Sequence, residues 1–310
     1  MRRHLRRKGY DNMSLVHLQF ESLYLHNNTD VNIILPDNPR AVTPAAFYGS
    51  GRKYKVLWLL HGTFGDYSDW LRKSNIELYA TERDLIVVMP SGLNADYSNW
   101  ANFCLGYQSL DYLFEELMPL VYNWYPASSR PEDNFIAGLS MGGEGTLRYL
   151  LAHPEKFAAA ASLSYVPTNY DDPVYRKELE QTAGASRAEL EKAAGTIPMN
   201  ADGNLRLRNE IDKEGGLEAF LASDMNQWKM FEAFAKLKNP PRLFFSCGDE
   251  DEFFGVNGKY PAFLKYMDSL HIAYTHSEGA GHHDWRVWER DIQLALDFFD
   301  IKNQNLGNAF

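Results

Sequence analysis

The stretch Phe135-Ile136-Ala137-Gly138-Leu139-Ser140-Met141-Gly142-Gly143-Glu144-Gly145 decides the fold. Its first three residues predict a short apolar strand, and residues 146–151 predict that a helix continues after the glycines. A Gly-x-Ser-x-Gly sequence between a strand and a helix is typical of a nucleophile elbow, a sharp turn whose glycines leave room for neighbouring backbone. Ser140 is therefore a candidate nucleophile. The alternative is a glycine-rich turn whose serine only caps the helix.

Strand and helix patterns alternate on both sides of this turn. The apolar runs at 55–60 and 85–89 predict strands that are buried on both faces. Three later apolar segments predict further strands, at 158–163, 242–246 and 272–275. The predicted helices cover 70–83, 109–124 and 259–270. Residues 16–25 and 31–35 predict an antiparallel edge hairpin with its turn at 27–30. This alternation predicts an α/β fold with a mostly parallel central sheet and helices on both faces.

Two regions depart from the alternation. The segment from about Tyr165 to Leu237 is charged and prone to form helices, so we interpret it as an inserted helical cap over the carboxyl-terminal edge of the sheet. The alternative is a set of surface helices with no role in binding. Residues 1–12 begin with a basic segment that lacks the apolar run of a secretory signal. We interpret them as a disordered arm or an upstream extension, followed by a single domain at 13–310.

Composition narrows the choice of partners. The 310 residues carry a formal net charge of -10, which argues against nucleic acids and anionic membranes, because both are bound through basic surfaces. No apolar run reaches the ~18 residues of a membrane span. Cys104 and Cys247 are the only cysteines, which excludes a disulfide framework and a paired metal-ligand motif. The sequence therefore favours a cytoplasmic protein that acts on a small molecule without a cofactor, with a homo-oligomer left open.

A nucleophilic serine requires a base that takes its proton and a third group that orients the base. Two loops follow predicted strands in the second half of the chain. One carries four carboxylates, Asp249 to Glu252, and the other carries the adjacent histidines His282 and His283. Adjacent histidines with Asp284 could bind a metal, but no His-x-x-x-His spacing accompanies them, so we expect no metal site.

A third histidine, His61, ends a predicted strand and competes as the base. It precedes the serine in the sequence, which is the wrong order for a nucleophile elbow whose acid and base follow it. We assign the turn at 61–65 instead to an oxyanion hole. In that hole the backbone N–H groups of Thr63 and Met141 would face the negative oxygen of the reaction intermediate.

Five separate blocks occur in the order of a known family and span roughly residues 13–300. They are Leu59-Leu60-His61-Gly62 with Trp70, Gly138-Leu139-Ser140-Met141-Gly142-Gly143, Phe157-Ala158 with Ser162-Leu163-Ser164, Cys247-Gly248-x-Glu250-Asp251, and Gly281-x-His283-x-Trp285-x-x-Trp288. Together they resemble the esterase D and tributyrin-esterase branch of the α/β-hydrolases. That branch is similar to S-formylglutathione hydrolases, feruloyl and acetyl-xylan esterases, and antigen 85 mycolyltransferases.

The resemblance implies an α/β-hydrolase fold and a serine carboxylic ester hydrolase that works through an acyl-enzyme. By motif position the nucleophile is Ser140, the acid is Asp251 rather than Asp249, and the base is His283 rather than His282. The implied substrates are short-chain acyl esters, or acetyl and feruloyl esters of carbohydrates such as a decorated oligosaccharide. The alternatives are an S-formylglutathione hydrolase, an acyltransferase and a catalytically silent binding protein.

Two features bear on the substrate. The loop after His61-Gly62 lacks the Leu-Thr-Cys sequence of typical S-formylglutathione hydrolases, which argues against that activity. Trp285, Trp228 and Phe253 are candidate substrate-binding residues, because aromatic side chains near the predicted site could line a pocket for an acyl chain or a ring. Packing in the core is the alternative for all three.

Overall fold

An eight-stranded sheet positions every candidate residue of the site. A computed structural model of the protein describes residues 12–39, 42–100, 107–194 and 198–302. The strands are β1 Asn12–Ser22, β2 Asn27–Asp37, β3 Val56–Leu60, β4 Ile86–Pro90, β5 Asn134–Leu139, β6 Ala159–Leu163, β7 Arg242–Gly248 and β8 Thr275–Gly279. Their order across the sheet is β1-β2-β4-β3-β5-β6-β7-β8. Strands β3 to β8 run parallel, and β1 and β2 are antiparallel, which confirms the predicted mostly parallel sheet.

The central strands are buried on both faces, as their continuous apolar runs predict. In β3, Val56, Trp58 and Leu60 pack into one hydrophobic core, and Leu57 and Leu59 pack into the other. Successive side chains of a strand point to opposite faces, so a strand with a core on each side must be apolar at every position. The sheet therefore has a hydrophobic layer on each face.

Helices cover both layers. They are α1 Pro44–Tyr48, α2 Asp69–Lys73, α3 Ile76–Thr81, α4 Ser109–Asp111, α5 Met118–Trp124, α6 Met141–Ala152, α7 Pro173–Gly184, α8 Arg187–Ala194, α9 Pro198–Glu214, α10 Leu217–Ala222, α11 Gln227–Phe234, α12 Lys259–Ser269 and α13 Trp285–Phe298. A π-helical turn, Tyr112–Leu117, joins α4 to α5. Residues of α2, α3 and α13 pack on one face, and residues of α5, α6, α11 and α12 pack on the other. The described part of the chain contains no helix that is long and apolar enough to cross a membrane.

Three predicted element boundaries are wrong. The hairpin turn lies at 23–26, and 27–30 belong to β2. The helix predicted at 70–83 is two helices that are separated at Ser74 and Asn75. The last strand lies at Thr275–Gly279 rather than at 272–275. Its sequence, Thr-His-Ser-Glu-Gly, is polar because β8 is a partly exposed edge strand, so the search for apolar runs missed it.

Most of the predicted insertion has a small core of its own. Leu179 of α7, Ile211 of α9, and Phe220 and Leu221 of α10 form a hydrophobic cluster that is separate from the two cores of the sheet. Helix α11 packs back on the main core through Phe231 and Phe234. The division into a single domain with a cap at 165–237 stays a prediction. Residues 1–11 of the predicted arm lie outside the described residues, and Asn12 begins β1.

We expect the turn between β5 and α6 to tolerate no side chain at Gly138. A Cβ atom there would lie 2.2 Å from the carbonyl oxygen of Gly142 and 2.8 Å from Leu60 Cβ. Gly138→Ala should lower the free energy of unfolding by about 1–3 kcal/mol, the usual cost of overpacking, as measured by urea unfolding. Gly184→Ala is the matched control, because nothing lies within 4 Å of its Cβ position at the end of α7. An equal loss in both variants would contradict the close packing of the turn.

Candidate active site

The turn that presents Ser140 is strained. Ser140 joins β5 to α6 with φ 52° and ψ −120°, a conformation that costs a non-glycine residue about 1–3 kcal/mol. A Cβ atom on Gly142 would lie 2.5 Å from the carbonyl oxygen of Leu60, so β3 and α6 approach each other too closely for any larger residue. This geometry lifts the Ser140 side chain out of the end of β5, as the sequence predicts for a nucleophile elbow.

A chain of hydrogen bonds connects Ser140, His283 and Asp251. The Ser140 Oγ atom lies 2.9 Å from His283 Nε2, and His283 Nδ1 lies 2.7 Å from Asp251 Oδ2. The three residues follow β5, β8 and β7, so the parallel strands bring them together at the same edge of the sheet. The sequence prediction named these three residues, and the structure places them within hydrogen-bonding distance.

Asp251 is held in a fixed, ionised state. Its side chain is fully buried, and its Oδ1 atom accepts hydrogen bonds from the backbone N–H groups of Phe253 and Phe254 at 2.9 and 3.1 Å. Burial tends to raise the pKa of Asp251, but the hydrogen bond and charge of His283 and these two N–H groups together hold the pKa below its ordinary value. A carboxylate in this position fixes the His283 ring and stabilises the imidazolium form.

Backbone hydrogen bonds join the loop of Asp251 to the loop of His283. The Asp249 N–H group donates to the Gly279 carbonyl at 3.0 Å, and the Glu250 N–H group donates to the Gly281 carbonyl at 3.0 Å. The Gly281 N–H group donates in turn to Asp249 Oδ1 at 3.1 Å. Asp284 then caps α13 through the N–H groups of residues 286 and 287. The position of the histidine is therefore set by the same loop that carries its acid.

His282 and Asp249, the alternative base and acid, lie away from Ser140. His282 is exposed and pairs with Glu250, with 3.2 Å between its Nε2 atom and Glu250 Oε2. Asp249 is engaged with the backbone of the opposite loop. The structure therefore brings His283 and Asp251, but not His282 and Asp249, to the candidate nucleophile. Within the described ranges, no group of three or more His, Cys, Asp or Glu side chains is arranged to hold a metal ion.

Two backbone N–H groups beside Ser140 are available as donors. The Thr63 N–H group donates to no other described residue. Met141 begins α6, where the N–H groups are free and the helix dipole is positive. The Phe64 N–H group donates to Asn94 Oδ1 at 2.8 Å, which ties the turn to the loop after β4. The sequence analysis missed Asn94, because nothing in its local sequence indicates a contact across the sheet edge.

His61 is a support for this turn and is not exposed to substrate. Its side chain is buried. Its Nε2 atom accepts a hydrogen bond from the Gly92 N–H group at 2.8 Å, so its Nδ1 atom carries the proton and donates to the Gly62 carbonyl at 2.7 Å. Burial lowers the pKa of His61, against the opposing effect of the Gly62 carbonyl. A neutral imidazole with both nitrogens engaged cannot act as the base, in agreement with the sequence argument.

A cleft of about 640 Å³ opens beside Ser140 and His283. Its walls are mainly apolar and aromatic; they comprise Gly62, Thr63, Phe64, Asp69, Lys73, Leu139, Phe253, Phe254, Asp284, Trp285 and Trp288. The Trp285 ring lies 5.1 Å from the Trp70 ring, and Lys73 Nζ lies 5.2 Å from the centre of the Trp285 ring. The Phe253 ring lies 4.8 Å from the His283 ring and is exposed at the mouth. Phe254 lines the cleft as well, and so does Phe64, which the sequence analysis did not single out.

Trp228 is not part of this cleft. Its ring stacks on Tyr266 at 3.9 Å, and its Nε1 atom donates to the Pro167 carbonyl at 3.0 Å. It packs against the main core from α11. The prediction that Trp228 contacts substrate is therefore not supported by its position, and core packing accounts for it.

Comparisons with known proteins agree with this geometry. The sequence model of the Esterase family, described as "Putative esterase", matches residues 22–299. An acetyl esterase of Caldicellulosiruptor saccharolyticus is 27% identical over 293 residues, which cover 92% of this chain and 98% of the relative. Among solved structures, the fluorophosphonate-binding serine hydrolase FphF of Staphylococcus aureus is 25% identical with a TM-score of 0.72, and the alignment covers 94% of this chain and 99% of that one. The S-formylglutathione hydrolase FrmB of the same organism is 26% identical with a TM-score of 0.70, covering 94% and 100%.

These matches define the class of protein. The fold is that of the α/β-hydrolases, and the protein is a carboxylesterase of the serine hydrolase type. The chain belongs to the Esterase family. The resemblance to the esterase D and tributyrin-esterase branch is thereby confirmed.

The two adjacent histidines offer a matched pair of variants. We expect His283→Gln to lower kcat for p-nitrophenyl acetate by roughly 10³-fold or more, since the serine loses its base. His282→Gln should change kcat less than about threefold, because the exposed His282 ring contacts Glu250 and not Ser140. Steady-state kinetics on both proteins, with circular dichroism as the check on folding, make the comparison. A similar loss in both would contradict the assignment of the base to His283.

Burial of neutral His61 makes the stability of the fold depend on pH. An unfolded histidine has a pKa of about 6.5, and the lowered pKa of folded His61 means that the unfolded state binds more protons below that pH. Stability should therefore fall as the pH drops below about 6.5, with up to ~1.4 kcal/mol per pH unit due to this residue. Urea unfolding at pH 5, 6 and 7 should show a smaller pH slope in His61→Gln than in the wild type. The exposed His276→Gln is the control and should keep the wild-type slope.

Proposed function

We propose that the protein hydrolyses short-chain carboxylic esters, acetyl esters foremost, through an acyl-enzyme on Ser140. The observation that carries this proposal is the hydrogen-bonded chain from Ser140 Oγ through His283 to buried Asp251, with spacings of 2.9 and 2.7 Å. This chain opens onto a cleft of about 640 Å³. The three side chains thus have the geometry that nucleophilic attack by a serine requires.

Acylation begins when Ser140 Oγ attacks the ester carbonyl carbon and passes its proton to His283 Nε2. The carbonyl oxygen becomes negative and turns towards the N–H groups of Thr63 and Met141. Removing one such donor from an oxyanion hole commonly costs 10²- to 10³-fold in rate. The protonated His283 then gives its proton to the leaving alcohol oxygen, which leaves the acyl group on Ser140.

Deacylation repeats these steps with water. His283 takes a proton from a water molecule, whose oxygen attacks the acyl carbon, and then returns the proton to Ser140 Oγ as the bond to the serine breaks. The Asp251 carboxylate stabilises the imidazolium in both halves, because it is buried and already hydrogen-bonded in the free enzyme. Transfer of the acyl group to an alcohol uses the same intermediate, so an acyltransferase differs only in the acceptor that the cleft admits.

The preference for small acyl groups rests on a comparison and not on the size of the cleft. The acetyl esterase relative aligns over 92% of this chain. The large aromatic side chains that wall the cleft, among them Trp285, Trp288 and Phe254, offer apolar surface to an acyl group. S-formylglutathione is the second candidate, favoured by the FrmB structure at 26% identity. The turn His61-Gly62-Thr63-Phe64 departs from the Leu-Thr-Cys sequence of typical S-formylglutathione hydrolases, which places the acetyl ester first.

The remaining expectations concern the partner, the cellular location and the oligomeric state of the enzyme. The proposed partner is a small ester, and a decorated oligosaccharide remains within the proposal. A cytoplasmic location and a homo-oligomer stay predictions. Membership of the Esterase family argues against the catalytically silent binding protein.

A substrate panel tests the proposal. The panel consists of p-nitrophenyl acetate, butyrate and octanoate, methyl ferulate and S-formylglutathione. We expect the highest kcat/KM for acetate or butyrate and a decline at octanoate, as for an enzyme of the same preference as its acetyl esterase relative. Ser140→Ala should lower kcat by about 10⁴-fold or more on every member.

Two outcomes would contradict the proposal. Retention of activity in Ser140→Ala would remove the nucleophile assignment. A kcat/KM for S-formylglutathione that exceeds that for p-nitrophenyl acetate by orders of magnitude would replace the acetyl ester with the thioester as the substrate.

A further inference from the structure

The turn at 61–65 forms one wall of the catalytic cleft and approaches Ser140 closely. Its residues Gly62, Thr63 and Phe64 line the cleft. A Cβ atom on Gly62 would lie only 3.4 Å from Ser140 Cβ. The turn also carries one proposed oxyanion donor, the Thr63 N–H group. Its conformation therefore decides how a substrate carbonyl is held beside the serine.

The backbone of this turn has a conformation that is unfavourable for its sequence. The Gly65 N–H group donates to the Gly62 carbonyl at 3.1 Å, which makes Thr63 and Phe64 the two central residues of a β-turn. Phe64 has a φ of 62°, whereas Thr63 does not have a positive φ. A positive φ at the second central residue is characteristic of a type II turn and favours glycine or asparagine there. Phenylalanine is strained in that position, so a contact from outside the turn is needed to hold it.

The peptide bond between Thr63 and Phe64 is the part of the turn that can change. Type I and type II turns differ chiefly in ψ of the first central residue and φ of the second, which amounts to a flip of the peptide between them. A type I turn accepts most residues, so these two residues favour it on their own. The flip would also move the Phe64 side chain, which lies in the wall of the cleft.

Asn94 opposes this flip. Its Oδ1 atom accepts a hydrogen bond from the Phe64 N–H group at 2.8 Å. In a trans peptide the N–H and C=O groups point in opposite directions. A flip would therefore turn the Thr63 carbonyl oxygen towards Asn94 Oδ1, and two acceptors cannot form a hydrogen bond. The contact with Asn94 thus favours the type II form.

The loop that carries Asn94 is anchored inside the protein. The Tyr97 side chain is buried, and its hydroxyl donates to the His61 carbonyl at 3.0 Å. A Cβ atom on Gly145 would lie 2.4 Å from the Tyr97 ring, so the ring packs on the backbone of α6. The Gly92 N–H group donates to His61 Nε2 at 2.8 Å. Asn94 therefore reaches the turn from a fixed position.

We propose that Asn94 is a positioning residue for ester hydrolysis. It keeps the peptide between Thr63 and Phe64 in the type II orientation and so fixes the turn that carries the proposed oxyanion donor. Asn94 does not itself line the cleft, and it acts through the turn. This inference rests on the proposed function and deepens it, since it names a residue outside the cleft on which kcat depends.

The kinetic test removes the acceptor and then restores it. We expect Asn94→Ala to lower kcat for p-nitrophenyl acetate about tenfold with KM changed less than about threefold, a smaller loss than removal of a whole oxyanion donor. Asn94→Asp retains an acceptor oxygen and should bring kcat back to within about threefold of the wild type. Rates are expressed per active site titrated with a fluorophosphonate, so that misfolded protein does not count.

The control is Asn99→Ala. Asn99 Oδ1 also accepts backbone N–H groups, those of Leu110 and Asp111, at 3.0 and 3.2 Å, but Asn99 does not line the cleft. This variant loses at least as many hydrogen bonds as Asn94→Ala and should keep kcat within about threefold of the wild type. An equal loss of kcat in the two variants would overturn the inference, and so would a failure of Asn94→Asp to recover.

A second background tests the cause of the effect. Glycine adopts a positive φ without strain, so in Phe64→Gly the turn keeps its type II form without help from Asn94. We expect Asn94→Ala to lower kcat less than about threefold in that background, against about tenfold in the wild type. Equal losses in both backgrounds would contradict the link between Asn94 and the strained turn.

A measurement without turnover separates this inference from the proposed function. NMR of protein labelled at the threonine nitrogens reports the Thr63 amide, identified as the signal that is absent from Thr63→Ser. We expect Asn94→Ala, but not Asn99→Ala, to broaden or split this signal, as exchange between two forms of the turn requires. An unchanged signal and an unchanged kcat in Asn94→Ala would overturn the role of Asn94 and leave the esterase intact. A Thr63 signal that depends on Asn94, in a protein that hydrolyses no ester, would contradict the proposed function alone.

Discussion

The strained backbone of Ser140 is the constraint on which the site depends. Its φ of 52° and ψ of −120° persist because neighbours hold the residue on both sides. The Ser140 N–H group donates to the Leu163 carbonyl at 2.9 Å, and the Ser140 carbonyl accepts from the Glu144 N–H group at 3.1 Å. Gly138 and Gly142 supply the space that this arrangement needs. The same turn exposes the hydroxyl and frees the first N–H group of α6, so the proposed nucleophile and one proposed oxyanion donor arise from a single local geometry.

The sheet supplies the rest of the site. Ser140 follows β5, Asp251 follows β7 and His283 follows β8. These strands run parallel, so their carboxyl ends lie at the same edge of the sheet. Backbone hydrogen bonds join the loop of Asp251 to the loop of His283, so the two side chains lie in contact without any movement of the loops. His61 supports from inside the protein the turn at 61–65, for which we propose the role of oxyanion hole. In the proposed mechanism, substrate therefore meets groups that are already oriented, which is how electrostatic stabilisation of a transition state becomes effective.

Much of the fold and of the candidate site was predictable, because the residues that form the site stand in distinctive local sequence patterns. The glycines around Ser140 and the buried parallel strands leave clear patterns, and they fixed the fold class and the elbow. The residue pattern alone did not decide which of the two histidines is the base or which of the four carboxylates is the acid. The family resemblance predicted His283 and Asp251. The structure brings that pair to Ser140. Strand β8 was misplaced because an edge strand needs no apolar run. Trp228 was predicted to contact substrate but packs against the main core, and Asn94 was missed. Both contacts depend on packing between distant segments, which no local sequence pattern indicates.

The proposed function places the ester in the aromatic cleft beside Ser140. It requires one central event, the covalent transfer of the acyl group to Ser140. The most direct measurement is mass spectrometry of peptides from protein that is quenched with acid during turnover of p-nitrophenyl acetate. The account predicts an acetyl group on the peptide that carries Ser140, present in the wild type and absent in Ser140→Ala. Turnover with no acetylated peptide, or with acetylation at another residue, would contradict it.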